Sequence, residues 1–267
     1  MNVELQQLSG TFGVRVEGID LHDDQPAEVR RVVHDAWLDH GLVLVRGQDL
    51  DVDEHKRFAE WFGPISTAGY APTANSSEKY ISNTRADGVA REGSLLKHQD
   101  FCFYDSLLPG LSLYAEEVPS RGGETIFAST QLAYQRLPVE LTRRIDGLHA
   151  RHVYDYRNDH GTERFRIAAA PQAPTATHPV VLAHPLTDRP LLFVNELMTD
   201  SVVELAEQES EDLLHELWSY LDDDAVRYEH PWEVGDLIVW DNLALQHGRR
   251  DFPQGERRSL RRFQIGA

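Results

Sequence analysis

Apolar residues recur along this chain in two rhythms, and the switches between them mark out its elements. Between 26 and 40, Val29, Val32, Val33, Ala36 and Trp37 fall three and four apart, the spacing of one helix face, and Gly41 follows as a stop signal. Leu42-Val43-Leu44-Val45 is a short unbroken apolar run and reads as a buried strand. A second helix is expected over 52–62, burying Phe58, Trp61 and Phe62 before Gly63-Pro64 ends it. Residues 65–96, rich in Ser, Thr, Asn and Gly, read mostly as loop around a strand near Tyr80-Ile81-Ser82. From 111 onward strands dominate: Leu111-Ser112-Leu113-Tyr114-Ala115, then Glu124-Thr125-Ile126-Phe127, with turn chemistry from Pro119 to Gly123 between them.

Helical pattern returns around 131–147, and residues 154–177 look irregular. A loop that long inside a domain is usually either functional or mobile, and it is expected to be a mobile lid that orders on binding. Strands resume at Pro179–Leu182 and Leu191–Val194, and a helix near 209–221 buries Leu213, Leu214, Leu217, Trp218 and Leu221. Leu237-Ile238-Val239-Trp240, a segment through His247, a Pro253-Gln254-Gly255 turn and a last strand near 257–265 close the chain. No repeat or linker divides it. The pattern predicts a single domain over 1–267, mainly β with flanking helices, as an antiparallel sandwich or jelly roll.

Composition narrows the partners. A formal net charge of −18 argues against a surface made for nucleic-acid phosphates or anionic lipid. Cys102 is the only cysteine, which excludes an internal disulfide or a multi-thiolate metal site, and it reads as a small buried hydrophobe. No apolar stretch approaches the roughly 20 residues of a membrane span. Met1-Asn2-Val3-Glu4 lacks a signal-peptide plan, so the expected compartment is the cytoplasm and the expected partner a small molecule, with homo-oligomers common among such proteins.

The chemistry begins at His98-Gln99-Asp100. On a strand, residues two apart share a face, so an imidazole and a carboxylate there suit two adjacent positions on one divalent ion. A distant histidine, His247, would complete a 2-His-1-carboxylate set. His22-Asp23-Asp24 has the same pattern but reads as a solvated turn before the first helix. Beyond His247 come Arg257, Arg258, Arg261 and Arg262, dense guanidinium for so acidic a chain. On a strand, Arg258, Leu260 and Arg262 share one face, while Arg257 and Arg261 fall on the other and read as solvated. Arg258 then projects toward the metal, where its fork suits the far end of a dicarboxylate.

These residues resemble the taurine/2,4-D dioxygenase family of Fe(II)- and 2-oxoglutarate-dependent oxygenases. The resemblance runs co-linearly from Gly13–Leu21 through Leu44–Gln48, Phe62-Gly63-Pro64, His98-Gln99-Asp100 and Pro119–Thr125. It continues through His184-Pro185, Phe193-Val194-Asn195, Gly235-Asp236-Leu237, Trp240-Asp241-Asn242 and His247 to the closing arginines. It implies a double-stranded β-helix (jelly roll) in which His98, Asp100 and His247 bind Fe(II). It also implies that Arg258 and Thr125 hold the far carboxylate of 2-oxoglutarate, and that Arg262 faces an anionic group of the substrate. The implied reaction uses O2, releases succinate and CO2, and hydroxylates an unactivated C–H bond, with desaturation, ring formation or bond cleavage as other outcomes of the same metal set. Asp100 occupies the position that halogenating relatives leave empty, which favours hydroxylation over chlorination.

Two departures argue against taurine itself. The segment after Phe62-Gly63-Pro64 lacks the histidine and tyrosine of taurine-specific members, and Ser94 stands where they carry asparagine. Phe103, on the face of Asp100, and Leu197, after Asn195, are the candidates for an apolar substrate wall. The alternatives to an oxygenase are a zinc-dependent hydrolase, which leaves Arg258 and Thr125 without a task, and a non-catalytic jelly-roll binding protein.

Overall fold

The computed structural model describes residues 3–66, 79–154 and 173–266. In chain order its elements begin with β1 (Glu4–Gln7), β2 (Val14–Glu17), α1 (Ala27–His40), β3 (Leu42–Val45), α2 (Val52–Ala59), β4 (Lys79–Ser82), β5 (Leu95–His98), β6 (Gly110–Glu117) and β7 (Thr125–Ser129). Then follow α3 (Thr130–Gln135), α4 (Val139–Ile145), β8 (His149–Val153), β9 (Thr175–Pro179), β10 (Val181–Ala183), β11 (Pro190–Leu192), β12 (Thr199–Val202) and α5 (Glu207–Leu221). The last four strands are β13 (Arg227–His230), β14 (Leu237–Asp241), β15 (Leu245–Arg249) and β16 (Ser259–Ile265). The expected lid region lies largely outside the described residues. Its downstream end is not irregular, because β9 pairs with β8 there.

A seven-stranded sheet, ordered β1-β2-β3-β14-β6-β16-β4, faces a four-stranded sheet, ordered β13-β7-β15-β5, as a jelly roll. Strand alternation explains how one large sheet serves two cores. Leu42, Leu44, Leu111, Leu113, Ile238, Trp240 and Leu260 point inward and meet Phe127 and Leu245 of the smaller sheet. Their neighbours Val43, Val45, Tyr114, Leu237, Val239 and Phe263 point outward, under Val33, Trp37 and Phe58 of α1 and α2. Each such side chain, fully buried, contributes about 1.5–3 kcal/mol. A third cluster packs α3, α4 and α5 on β8 and β10–β12.

Helix α2 stops at Ala59, short of the expected 62, although Phe58 and Phe62 are buried as anticipated. The expected helix over 131–147 is two helices, broken at Pro138.

The outer arginine face of β16 needs correction. Arg257 is exposed and pairs with Glu117, but Arg261 is only 4% exposed. Arg261 Nε donates to His55 Nδ1 at 3.2 Å, another of its nitrogens donates to the Leu50 carbonyl at 2.7 Å, and the guanidinium lies over Tyr114. The accepting Nδ1 leaves His55 Nε2–H to donate to Ser112 Oγ at 2.8 Å. Helix α2 covers this face, so a position that alternation alone assigns to solvent is an interior one.

His152 on β8 is also buried, its Nδ1 lying 3.1 Å from Thr199 Oγ1. Burial, with a smaller push from His178, lowers its imidazole to about 3. In the unfolded chain it titrates near 6.5. Its contribution is therefore complete above about pH 6.5 and is lost as pH falls toward 3. Urea unfolding of the metal-free protein should show stability declining over that range, and His152→Gln should flatten the decline. A slope untouched by the substitution contradicts this assignment.

Candidate active site

Two histidines far apart in sequence become direct neighbours through strand pairing. In the β5–β15 ladder His247 stands opposite His98, and their rings lie 4.3 Å apart, centre to centre. The ladder shifts register just beyond, and Gly248 makes that possible: a Cβ there would sit 2.8 Å from the Leu95 carbonyl oxygen.

Asp100 arrives differently from the expectation of shared strand alternation. β5 ends at His98, and Asp100 lies in the turn that follows, where Phe101 takes the left-handed region with φ +65°. Asn242 holds this turn. Its Oδ1 accepts from the Asp100 N–H at 3.0 Å, and its Nδ2 donates to the carbonyls of Asp100 and Leu108, each at 2.9 Å. The result matches the intended outcome by another route, with His98 Nε2 3.3 Å from Asp100 Oδ1.

One ligand atom from each of His98, Asp100 and His247 lies within 4.8 Å of the others, the one such cluster among the described residues. Its donors suit a divalent metal. His98 Nδ1–H donates to the Leu96 carbonyl at 2.8 Å, which turns Nε2 toward Asp100. His247 Nδ1 is buried without a protein partner. Burial first, then the charges of His98 and Arg262 against that of Asp100, lowers the His247 imidazole to about 3 and keeps it neutral. Burial alone would raise the Asp100 carboxyl. The hydrogen bond from His98 and the charge of Arg262 outweigh it and hold the group well below the usual carboxylate range.

The trio opens into a cavity of about 860 Å³ whose lining includes Leu113, Thr125, Tyr154, Leu197, Met198, Trp240, Arg258 and Arg262. Arg258 is 3% exposed, and among the described residues its guanidinium donates only to the Gly123 carbonyl, at 3.2 Å, while its Nε and one terminal nitrogen have no partner. A Cβ on Gly123 would meet Arg258 Nε at 3.2 Å, so glycine lets the guanidinium lie against this turn. Burial, then the nearby Arg249 charge, lowers Arg258 to about 9. Such a group calls for an anion, and the far carboxylate of a dicarboxylate would meet its open donors.

Thr125 and Leu197 both line the cavity. Arg262 lines it too, but with one nitrogen 3.1 Å from Asp100 Oδ2 and its Nε unpartnered. Phe103 is the exception. The turn at Phe101 breaks strand alternation, and the Phe103 ring packs behind Tyr154, 4.7 Å centre to centre, so Tyr154 presents the wall instead. Cys102 is fully buried beside Asn195 and Met198, and burial raises its thiol to about 12.

Arg249 was missed in the sequence although it follows His247 by two residues on the same strand, which period-two reading would have flagged. It is 4% exposed and donates to the carbonyls of Ala90, Glu92 and Gly93, pinning the segment that forms the outer cavity wall.

A jelly roll that gathers two imidazoles and a carboxylate beside an unpaired buried arginine has the build of a metal-dependent oxygenase. The chain belongs to the taurine catabolism dioxygenase TauD, TfdA family, whose model matches residues 4–264. It is 32% identical to the alpha-ketoglutarate-dependent 2,4-dichlorophenoxyacetate dioxygenase of Cupriavidus pinatubonensis, over 98% of this chain and 97% of that protein. It is 29% identical to the (S)-phenoxypropionate/alpha-ketoglutarate-dioxygenase of Sphingobium herbicidovorans, over 96% and 92%. In fold it is similar to a crystal structure of AAD-2 in complex with Mn(II) and N-oxalylglycine, with TM-score 0.85 and 24% identity, covering 100% of this chain and 98% of that one. The chain is thus an Fe(II)- and 2-oxoglutarate-dependent dioxygenase that uses O2 and acts on a small organic substrate. Neither the zinc hydrolase nor the binding protein finds support among these relatives. Among the described residues no helix is long and apolar enough to cross a membrane.

Asn242→Ala removes three hydrogen bonds from buried backbone groups. It should cost about 2–4 kcal/mol by urea unfolding and weaken metal binding at least about tenfold by calorimetry, because the turn carrying Asp100 loosens. Metal affinity equal to that of the unaltered protein would separate this turn from the site.

Proposed function

We propose that His98, Asp100 and His247 hold the iron, that Arg258 and Thr125 hold the far carboxylate of 2-oxoglutarate, and that the substrate is a small organic anion with an apolar body. The observation that carries this reading is Arg258, buried and without a carboxylate partner among the described residues, in the cavity that the three metal-ligating side chains share. When bound, iron, 2-oxoglutarate and O2 together supply the oxidation of a C–H bond, with succinate and CO2 as coproducts.

The protein's share is preparation. His247 is held neutral, His98 turns its Nε2 toward the site, and Asp100 stays ionised at neutral pH. Arg262 engages one oxygen of Asp100, which leaves the other oxygen for the metal and restrains the carboxylate to one orientation. Leu113, Tyr154, Leu197, Met198 and Trp240 keep bulk water from the reacting centre.

The substrate class follows from charge and wall together. The 2,4-dichlorophenoxyacetate and (S)-phenoxypropionate named for the two relatives are carboxylates on an aromatic body. Here Arg262 has an unpartnered Nε at the cavity, and Leu197, Met198 and Tyr154 supply an apolar surface. Arg262 meets the substrate anion; Leu197 contacts its body.

Anaerobic addition of iron(II) and 2-oxoglutarate should produce the weak visible charge-transfer band of the chelate, and its absence would refute the reading. Arg258→Met should raise the 2-oxoglutarate Kd by about 10- to 100-fold, the loss of one charge-assisted contact. Screening small aryloxy and alkyl acids for stimulated succinate release identifies the substrate. Arg262→Ala should then raise the substrate KM more than the 2-oxoglutarate KM, and equal effects would place Arg262 at the cosubstrate.

A further inference from the structure

Thr125 opens β7 directly after the Gly122-Gly123-Glu124 turn, and its Oγ1 accepts the indole N–H of Trp232 at 2.9 Å. A threonine hydroxyl has one proton to give and lone pairs to receive, whereas an indole nitrogen only donates. The contact with Trp232 therefore occupies a lone pair and leaves the hydroxyl proton to point elsewhere. Thr125 is 4% exposed, lines the cavity with Arg258, and has no acceptor for that proton among the described residues.

Trp232 is itself held from behind. His230, its neighbour two residues back, pairs in register with Thr125 across the β13–β7 ladder. The Trp232 ring meets the His230 ring edge to face, 4.6 Å between centres and 87° between planes. His230 is fully buried, and its tautomer is set. Nε2–H donates to Asp236 Oδ2 at 2.9 Å, because a carboxylate only accepts, so Nδ1 receives the Tyr228 hydroxyl at 3.0 Å. Asp236 also accepts from Arg46 and from the Glu233 N–H. The Gly235-Asp236-Leu237 motif thus ends a chain of fixed contacts that runs Arg46, Asp236, His230, Trp232, Thr125.

We propose that Trp232 is a positioning residue for 2-oxoglutarate. By occupying the oxygen of Thr125 it aims the hydroxyl proton at the carboxylate that Arg258 holds. The inference rests on the assignment of Arg258 and Thr125 to that carboxylate.

Calorimetric titration of the Mn(II)-loaded protein with 2-oxoglutarate, without substrate or turnover, tests it. Trp232→Phe should raise Kd about five- to tenfold, the worth of one hydrogen bond, and Thr125→Val by at least as much. The double variant should bind no more weakly than Thr125→Val, since Trp232 acts only through that hydroxyl. Effects that multiply in the double variant overturn the proposal. Affinity for 2-oxobutyrate, which lacks the far carboxylate, should be unchanged in Trp232→Phe; an equal loss for both keto acids overturns it. Thr125→Ser keeps the oxygen that the indole orients and should bind within about twofold of the unaltered protein. A loss as large as that of Thr125→Val overturns the proposal even if Trp232→Phe does not fold. Failure of the unaltered protein to bind 2-oxoglutarate overturns both this inference and the site assignment, whereas multiplying effects overturn this inference alone.

Discussion

Everything at the site depends on one pairing across a β-ladder, His247 against His98. Two strands far apart in the chain must lie adjacent and in that register for the imidazoles to face each other. A slip by one residue would turn His247 to the other face of the sheet and bring Gly248 or Gln246 opposite His98. The register is held on both sides. β15 pairs with β7 along its whole length, and Gly248 permits the close approach of β5 at the shifted position. The carboxylate is then delivered by a turn that Asn242 ties to the start of the following segment.

The cavity inverts the electrostatics of the chain as a whole. A protein with a formal charge of −18 places Arg249, Arg258 and Arg262 in one cavity against one buried carboxylate, Asp100. Arg249 is satisfied by backbone carbonyls, Arg262 pairs with Asp100 but keeps its Nε open, and Arg258 keeps two donors open among the described residues. Burying an unpaired guanidinium is unfavourable in the free protein, and an anion bound there would relieve that cost, so part of such a ligand's affinity would be stored in the fold before it arrives.

Much of this was legible in the linear order. The three-and-four spacing of Val29, Val33 and Trp37 located α1, and alternation along 257–265 correctly put Arg258 and Arg262 on one face with Leu260. Other positions were not legible. Arg261 obeys the same alternation yet is interior, because the helix that covers its face comes from residues 52–59, and no local pattern in β16 reports what will pack upon it. Phe103 was set on the face of Asp100 by alternation, and a left-handed residue at Phe101 ended the strand geometry on which that argument relied.

The sequence by itself determined the alphabet of the site: two histidines, one aspartate, a threonine after paired glycines, a cluster of late arginines, and strands able to carry them. Those choices follow from side-chain chemistry and short-range periodicity, both of which are local. Only the tertiary structure decided that His98 and His247 face each other, that Tyr154 rather than Phe103 forms the wall, and that Trp232 reaches Thr125. These are contacts between residues remote in the chain. They are set by sheet register and by which surfaces bury each other, quantities that belong to the folded whole.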